Sequence, residues 1–206
     1  MSDKSDDGFD PNLWKPRGLE ETQALYDNWA KRYDDDVTGA GYQTPARVAQ
    51  TLAATVPDKS ARILDFGCGT GLSGAALVAV GFSEINGTDI NKSMIAKAKA
   101  KGIYSKLWVS APGDPDITPG DYAVITATGV VSLGAAPPEM LATLLNCLTP
   151  GGYLALSYND ATLADARYVD AMDAACAELA ELVSKEYGPH LKAKGMGSDV
   201  YVLRRR

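Results

Sequence analysis

Two aspartates bracket a glycine-rich bend in this chain. Ile63-Leu64-Asp65-Phe66-Gly67-Cys68-Gly69-Thr70-Gly71-Leu72 is an apolar run that turns through three alternating glycines into a helix-forming stretch, and Asp89 closes the next apolar run. Glycine lets backbone approach a ligand closely. In an open parallel sheet such a bend lies outside the carboxyl ends of the strands, at a helix amino terminus, where ligands bind. A bend with no ligand is the bland alternative. Gly69-Thr-Gly71-Leu-Ser-Gly74 also satisfies the GxGxxG spacing of dinucleotide binders, so glycine spacing admits two cofactor classes. Asp65 separates them: a carboxylate beside a pyrophosphate repels it, whereas one beside an amino-acid ammonium attracts it. Asp89 is placed to accept the two hydroxyls of an adenosine ribose. Its bland reading, a cap for a helix over Asn91–Lys101, explains one acid but not the pair.

An ammonium partner, a ribose partner and no room for pyrophosphate together describe S-adenosyl-L-methionine. Further segments carry a family resemblance: LTPGG at Leu148–Gly152, YDNWAKRYDDDV at Tyr26–Val37, NGTDINKSMIAKAKAKGIY at Asn86–Tyr104 and GVVSLGA at Gly129–Ala135. Over residues 20–206 the chain resembles the class I S-adenosylmethionine-dependent methyltransferases, and is most similar to the methyltransferase-like proteins of the Williams–Beuren region type. The resemblance implies a seven-stranded, mostly parallel Rossmann-like sheet with helices on both faces and the last strand antiparallel. It also implies that Tyr33 and Trp29 close over the cofactor, although their spacing equally suits core-facing positions. Those relatives tend to carry histidine where Ala135 stands, so no role of that imidazole transfers here. The residues expected to hold the cofactor are Trp29, Tyr33, Asp65, Gly67, Cys68, Gly69, Asp89, Ile90, Met94 and Thr126.

The elements that must position these groups alternate. Apolar spacing predicts a helix over Leu19–Tyr33, ended by Asp34-Asp35-Asp36, and another from Thr44-Pro45 to Val56. Then follow a strand Arg62–Phe66, a helix Leu72–Val80, a strand Glu84–Thr88 and a helix Asn91–Lys101. Strands at Ser105–Val109 and Tyr122–Thr128, a helix Pro138–Leu148, a turn Thr149–Gly152 and a strand Tyr153–Tyr158 continue the series. A long helix Ala161–Ser184 and strands Lys185–Leu191 and Asp199–Leu203 complete it. Such β-α alternation implies right-handed crossovers and a doubly covered parallel sheet. The organisation expected is a flexible arm over 1–18 and one domain over 19–206, comprising a helical lid at 19–57 and the Rossmann-like core at 61–206.

Composition narrows the function. The 206 residues are 46% apolar and 22% charged, and Lys+Arg 20 against Asp+Glu 26 leaves a net charge of −6. That balance disfavours attraction to nucleic acid or to anionic membranes, and no run reaches the roughly 20 apolar residues of a membrane span. Cys68, Cys147 and Cys176 lack metal-ligand spacing, so no metal is expected. The acidic start, Met1–Asp10, is unlike a signal peptide, and a cytoplasmic protein is expected. Methyl transfer from a sulfonium is an in-line displacement that alignment can accelerate without an acid or base, and no catalytic residue is assigned. His190 between Gly188-Pro189 and Leu191 reads as incidental; strand-end groups Thr126, Thr128, Tyr158, Asn159 and Asp160 are better placed. Thr126-Ala-Thr-Gly129 lacks the prolines of nucleobase methylases of this superfamily, which favours a small-molecule acceptor. The alternatives are a nicotinamide-dependent oxidoreductase and a non-catalytic S-adenosylmethionine-binding protein.

Overall fold

The computed structural model describes Phe9 and residues 13–206. Three helices lead, α1 (Leu19–Trp29), α2 (Tyr33–Gly39) and α3 (Thr44–Thr55). The alternating part runs β1 (Ile63–Phe66), α4 (Leu72–Ala79), β2 (Ile85–Asp89), α5 (Lys92–Ala100), β3 (Lys106–Val109), β4 (Tyr122–Ala127), α6 (Met140–Cys147) and β5 (Leu148–Asn159). Helices α7 (Asp160–Leu163) and α8 (Ala166–Glu178) precede the terminal strands β6 (Ala180–Leu191) and β7 (Met196–Arg205). The seven strands form one sheet of order β3-β2-β1-β4-β5-β7-β6. Neighbours from β3 to β5 are parallel, and β7 runs antiparallel to both β5 and β6. This is the Rossmann-like sheet that the alternation and the resemblance lead one to expect.

Successive strand residues feed two cores, because side chains alternate between the faces of a sheet. Ile63, Val124, Ala155, Val200 and Val202 pack with Val48 and Leu52 of α3 and Leu77 of α4. On the other face Leu64, Ile125, Leu154, Leu156 and Tyr201 pack with Leu141 and Leu144 of α6 and Tyr168 and Met172 of α8. Strands apolar on both faces are what a helix-covered parallel sheet requires. Strand order reverses at β1 and β4, which opens a crevice beyond their carboxyl ends. A third cluster, Phe9, Leu13, Trp29, Val37, Ala40 and Leu191, is separate from both cores.

Several expectations about elements are corrected. The first helix stops at Trp29, and Asp34, Asp35 and Asp36 do not end a helix but form the first turn of α2, where the positive end of the helix dipole favours acids. The expected turn Thr149–Gly152 is the opening of β5, absorbed by a register shift against β4 between Tyr122 and Val124. The single helix expected over Ala161–Ser184 is three elements. Asp165 caps a new helix by accepting the Arg167 N–H at 3.1 Å, and the chain is already strand by Ala180, paired with Arg205. Of the stretch expected to be a flexible arm, residues 1–8 and 10–12 lie outside the described residues, while Phe9, 2% exposed, and Leu13 are buried. Phe9 meets Trp29 edge-on at 5.5 Å between ring centroids, so the apolar groups in this stretch have a packing partner.

Candidate active site

The bend after β1 needs glycine for two reasons at Gly67. Its φ is +65°, and a Cβ there would lie 2.3 Å from Cγ2 of Val130. Asp65 lies beneath this bend and is fully buried. Its Oδ2 accepts hydrogen bonds from Ser73 Oγ at 2.6 Å and Tyr104 OH at 2.7 Å, and its Oδ1 accepts one from Thr126 Oγ1 at 3.0 Å. Burial pushes its pKa up to about 6, against the opposing effect of the three hydroxyl donors. Asp65 therefore supports the bend from below rather than facing the cavity, which departs from the direct ammonium contact its position suggests. Gly74 makes room for that support: a Cβ on it would come within 2.4 Å of the Tyr104 hydroxyl oxygen.

Beyond the carboxyl ends of the strands is a cavity of about 430 Å³, walled by the bend, the ends of β2 and β3, the segment after β4 and the leading helices. Of the ten residues expected to hold a cofactor, Tyr33, Gly67, Gly69, Asp89, Ile90 and Met94 line it. Asp65 and Thr126 lie below it. Trp29 lines a smaller neighbouring cavity and donates from Nε1 to Asp36 Oδ2 at 2.7 Å; Cys68 lines a crevice on the other side of the bend. Asp89 ties β2 to the bend, accepting the Gly69 N–H at 2.9 Å on Oδ2 and the Asn91 N–H at 2.8 Å on Oδ1. The Ile90 N–H is a third backbone donor to this carboxylate, whose roughly four lone-pair sites still leave room for a ligand. Burial raises the Asp89 pKa above the usual carboxylate value, while those backbone donors oppose the rise.

The bend is poorly equipped for a phosphate. The N–H of Cys68 goes to Thr88 O, that of Gly69 to Asp89 and that of Gly71 to Cys68 O, so three of the bend's amides are already engaged. Asp65 and Asp89 add negative charge nearby. Ser110, just past β3, supplies the opposite signal: its buried Oγ has no hydrogen-bond partner among the described residues, and it lines the cavity. A buried hydroxyl of this kind costs free energy until a ligand or water engages it. The sequence rule that singled out Asp89, a polar group at a strand's carboxyl end, applies equally to Ser110.

The leading helices form the roof. Tyr26, Tyr33 and Tyr42 line the cavity together with Arg17, the one cation on its wall among the described residues. Asp34 of α2 accepts from Thr70 Oγ1 and Lys101 Nζ, each at 2.5 Å, and Asn91 Nδ2 donates to Asp27 Oδ1 of α1 at 2.9 Å. These contacts fasten the roof to the bend and to α5. Tyr26 escapes sequence reasoning because its helical spacing is that of a core residue, and Tyr42 because it stands in the link between α2 and α3, outside any periodic pattern. Among the strand-end groups, Thr128 lines the large cavity and Asn159 the small one. Tyr158 is instead fully buried in the core, and Asp160 binds Tyr187 OH and the Gly197 N–H.

Sheet order, glycine bend and strand-end polar groups together define a Rossmann-like methyltransferase domain. A family model described as a methyltransferase domain matches residues 40–189, and the chain belongs to that family. Human Methyltransferase-like protein 27 is 35% identical over 137 residues, covering 65% of this chain and 56% of that protein. Trans-aconitate 2-methyltransferase of Variovorax paradoxus is 32% identical over 152 residues, 69% of this chain and 51% of that protein. The chain thus spans about half the length of these curated relatives. A solved SAM-dependent methyltransferase of Leishmania major shares the fold with a TM-score of 0.70 at 16% identity, over 89% of this chain and 82% of that one. The family implies S-adenosylmethionine as cofactor. The cavity fits it: an acid with spare lone pairs at β2, an unengaged hydroxyl at β3, apolar Ile90 and Met94 between, and a bend that offers few amides to phosphate.

Proposed function

We propose that this chain transfers the methyl group of S-adenosylmethionine to a small-molecule acceptor. The observation that carries the reading is the cavity itself, in which Asp89 and Ser110 at adjacent strand ends face a roof of three tyrosines. Asp89 would accept the ribose hydroxyls, Ile90 and Met94 would give the adenine an apolar wall, and Ser110 would donate to or accept from its polar edge. Gly67 and Gly69 admit the amino-acid end, with Cys68, Asp65 and Thr126 holding the bend in shape. Tyr33 closes over the cofactor, and Trp29 backs it at 4.7 Å between ring centroids. When bound, the cofactor supplies an electrophilic methyl on sulfur. The protein aligns the acceptor with that carbon and keeps water away, which can account for much of the acceleration.

A roofed cavity and a net charge of −6 favour a small acceptor over a nucleic acid. The identity with human Methyltransferase-like protein 27 supports kinship with the methyltransferase-like proteins. No helix among the described residues is long and apolar enough to cross a membrane, and the three cysteines are free thiols, in keeping with a reducing cytoplasm. Titration calorimetry with S-adenosylhomocysteine tests the reading: micromolar binding supports it. Binding of NAD in its place overturns it.

A further inference from the structure

Adjoining the large cavity is a smaller one of about 60 Å³, several times the roughly 10–15 Å³ that one water needs. The two share Tyr26, Tyr33, Tyr42, Gly129 and Ala135, so a group seated in the smaller one lies next to the cofactor space. Among the described residues no acidic side chain lines it. Two of its polar groups, Asn159 and His190, are each held by a chain of hydroxyls whose direction can be worked out by counting protons.

At Asn159 the count starts from backbone amides, which can only donate. Thr162 N–H donates to Asn159 Oδ1 at 3.0 Å; Leu133 N–H donates to Thr162 Oγ1 at 3.1 Å, and that hydroxyl donates on to Asn159 Oδ1 at 3.0 Å. The amide oxygen is thereby fixed, which leaves Nδ2 with its two protons and no partner among the described residues. At His190 the count starts from Arg47, also a pure donor. Its Nη1 donates to Ser198 Oγ at 2.9 Å, and Ser198 Oγ lies 3.2 Å from Thr44 Oγ1, which lies 2.8 Å from His190 Nδ1. Ser198 and Thr44 are fully buried. Every proton in this chain finds an acceptor only if Ser198 donates to Thr44 and Thr44 donates to Nδ1. Nδ1 is then the bare nitrogen, and Nε2 carries the proton. Burial supports a neutral ring, lowering the His190 pKa to about 4. The tyrosines on the shared wall are likewise donors, since burial raises the pKa of Tyr33 and Tyr42.

From this donor-rich, acid-free chamber we propose that the acceptor is a carboxylate, seated against Asn159 Nδ2 and His190 Nε2–H, and that the product is its methyl ester. The proposal rests on the methyl-transfer reading above. A carboxylate oxygen attacks the methyl carbon, the carbon–sulfur bond breaks with its electron pair going to sulfur, and no proton moves. A base is therefore unnecessary, and Nε2–H in this tautomer is not one. An ammonium acceptor would need both a base and a nearby acid, neither of which this chamber provides.

The chain has a single histidine, so long-range proton–nitrogen correlation spectra report its tautomer without assignment. At pH 7 with S-adenosylhomocysteine bound, protonation on Nε2 is expected; protonation on Nδ1 overturns the proposal. With labelled cofactor and a panel of small carboxylic acids and their matched amides, amines and phenols, label should pass to acids alone and return as methanol on mild alkali. Transfer to amines or phenols, or none to any acid by protein that binds S-adenosylhomocysteine, overturns it while leaving the cofactor reading intact. Failure to bind S-adenosylhomocysteine defeats both. Asn159→Asp keeps the capping oxygen but replaces the donor by an anion, and should raise KM for the preferred acid roughly tenfold or more with cofactor affinity unchanged. His190→Leu should do likewise and His190→Gln, which keeps a donor, should largely restore KM; equal KM in all three variants and the parent overturns the assignment.

Discussion

Asp65 and Asp89 have the same residue type and opposite duties, and their surroundings make the difference. Asp89 reaches the cavity with lone pairs to spare, so Asp89→Ala should weaken S-adenosylhomocysteine binding at least tenfold by calorimetry, the loss of charge-assisted hydrogen bonds of about 1.5–3 kcal/mol each. Asp65 is satisfied by three hydroxyls below the bend. Its folded pKa of about 6 exceeds the unfolded value of about 3.9, so the stabilisation gained by its protonation is complete below about pH 4 and lost as pH rises through 6. Carbon-13 titration of its carboxyl should give a midpoint near 6; one below 5 would refute the buried placement. His190 behaves in the opposite sense. With its pKa lowered to about 4, the neutral ring stabilises the fold above about 6.5, and that contribution is lost as pH falls through 4.

The glycine bend works as an element because its glycines have different partners. Gly67 clears Val130, and Gly74, in the first turn of α4, clears Tyr104 so that its hydroxyl reaches Asp65. Gly74→Ala should therefore destabilise the fold by about 1–3 kcal/mol, the usual cost of overpacking, measured as a lower urea midpoint at unchanged slope. The same substitution should shift the Asp65 titration, since it displaces one of the three donors. The match to a dinucleotide spacing pattern is thus explained by packing: its third glycine admits an aromatic ring, and the amides of Cys68, Gly69 and Gly71 are spent on the protein itself.

At the scale of the molecule, a seven-stranded sheet carries the strand-end groups and a separately packed roof covers them. Burial of Phe9 and Leu13 against that roof contributes about 1.5–3 kcal/mol each. Deleting residues 1–17 should lower the melting temperature and weaken S-adenosylhomocysteine binding, with the β6–β7 hairpin retaining its hydrogen-exchange protection. In the full chain, ligand should slow exchange in α1 and α2 and leave that hairpin unchanged; uniform slowing would argue against a roof that closes independently. The alternation of apolar runs with helical spacing, and the acids and glycines around Asp65 and Asp89, made the sheet and the location of the cavity readable from residue order, because both follow from local periodicity and from chain direction at strand ends. Order alone misassigned Asp34–Asp36, whose charges suit a helix start as well as a stop, and the 161–184 stretch, where pairing with β7 overrides helical propensity. Which groups face the cavity was decided only by the fold. Asp65 and Asp89 are both acids near the carboxyl ends of neighbouring strands, Tyr26 has the spacing of a core residue, Tyr42 stands between two helices, and Asn159 and His190 are far apart in the chain. Only tertiary contact fixes burial, lone-pair use and the direction of a hydrogen-bond chain.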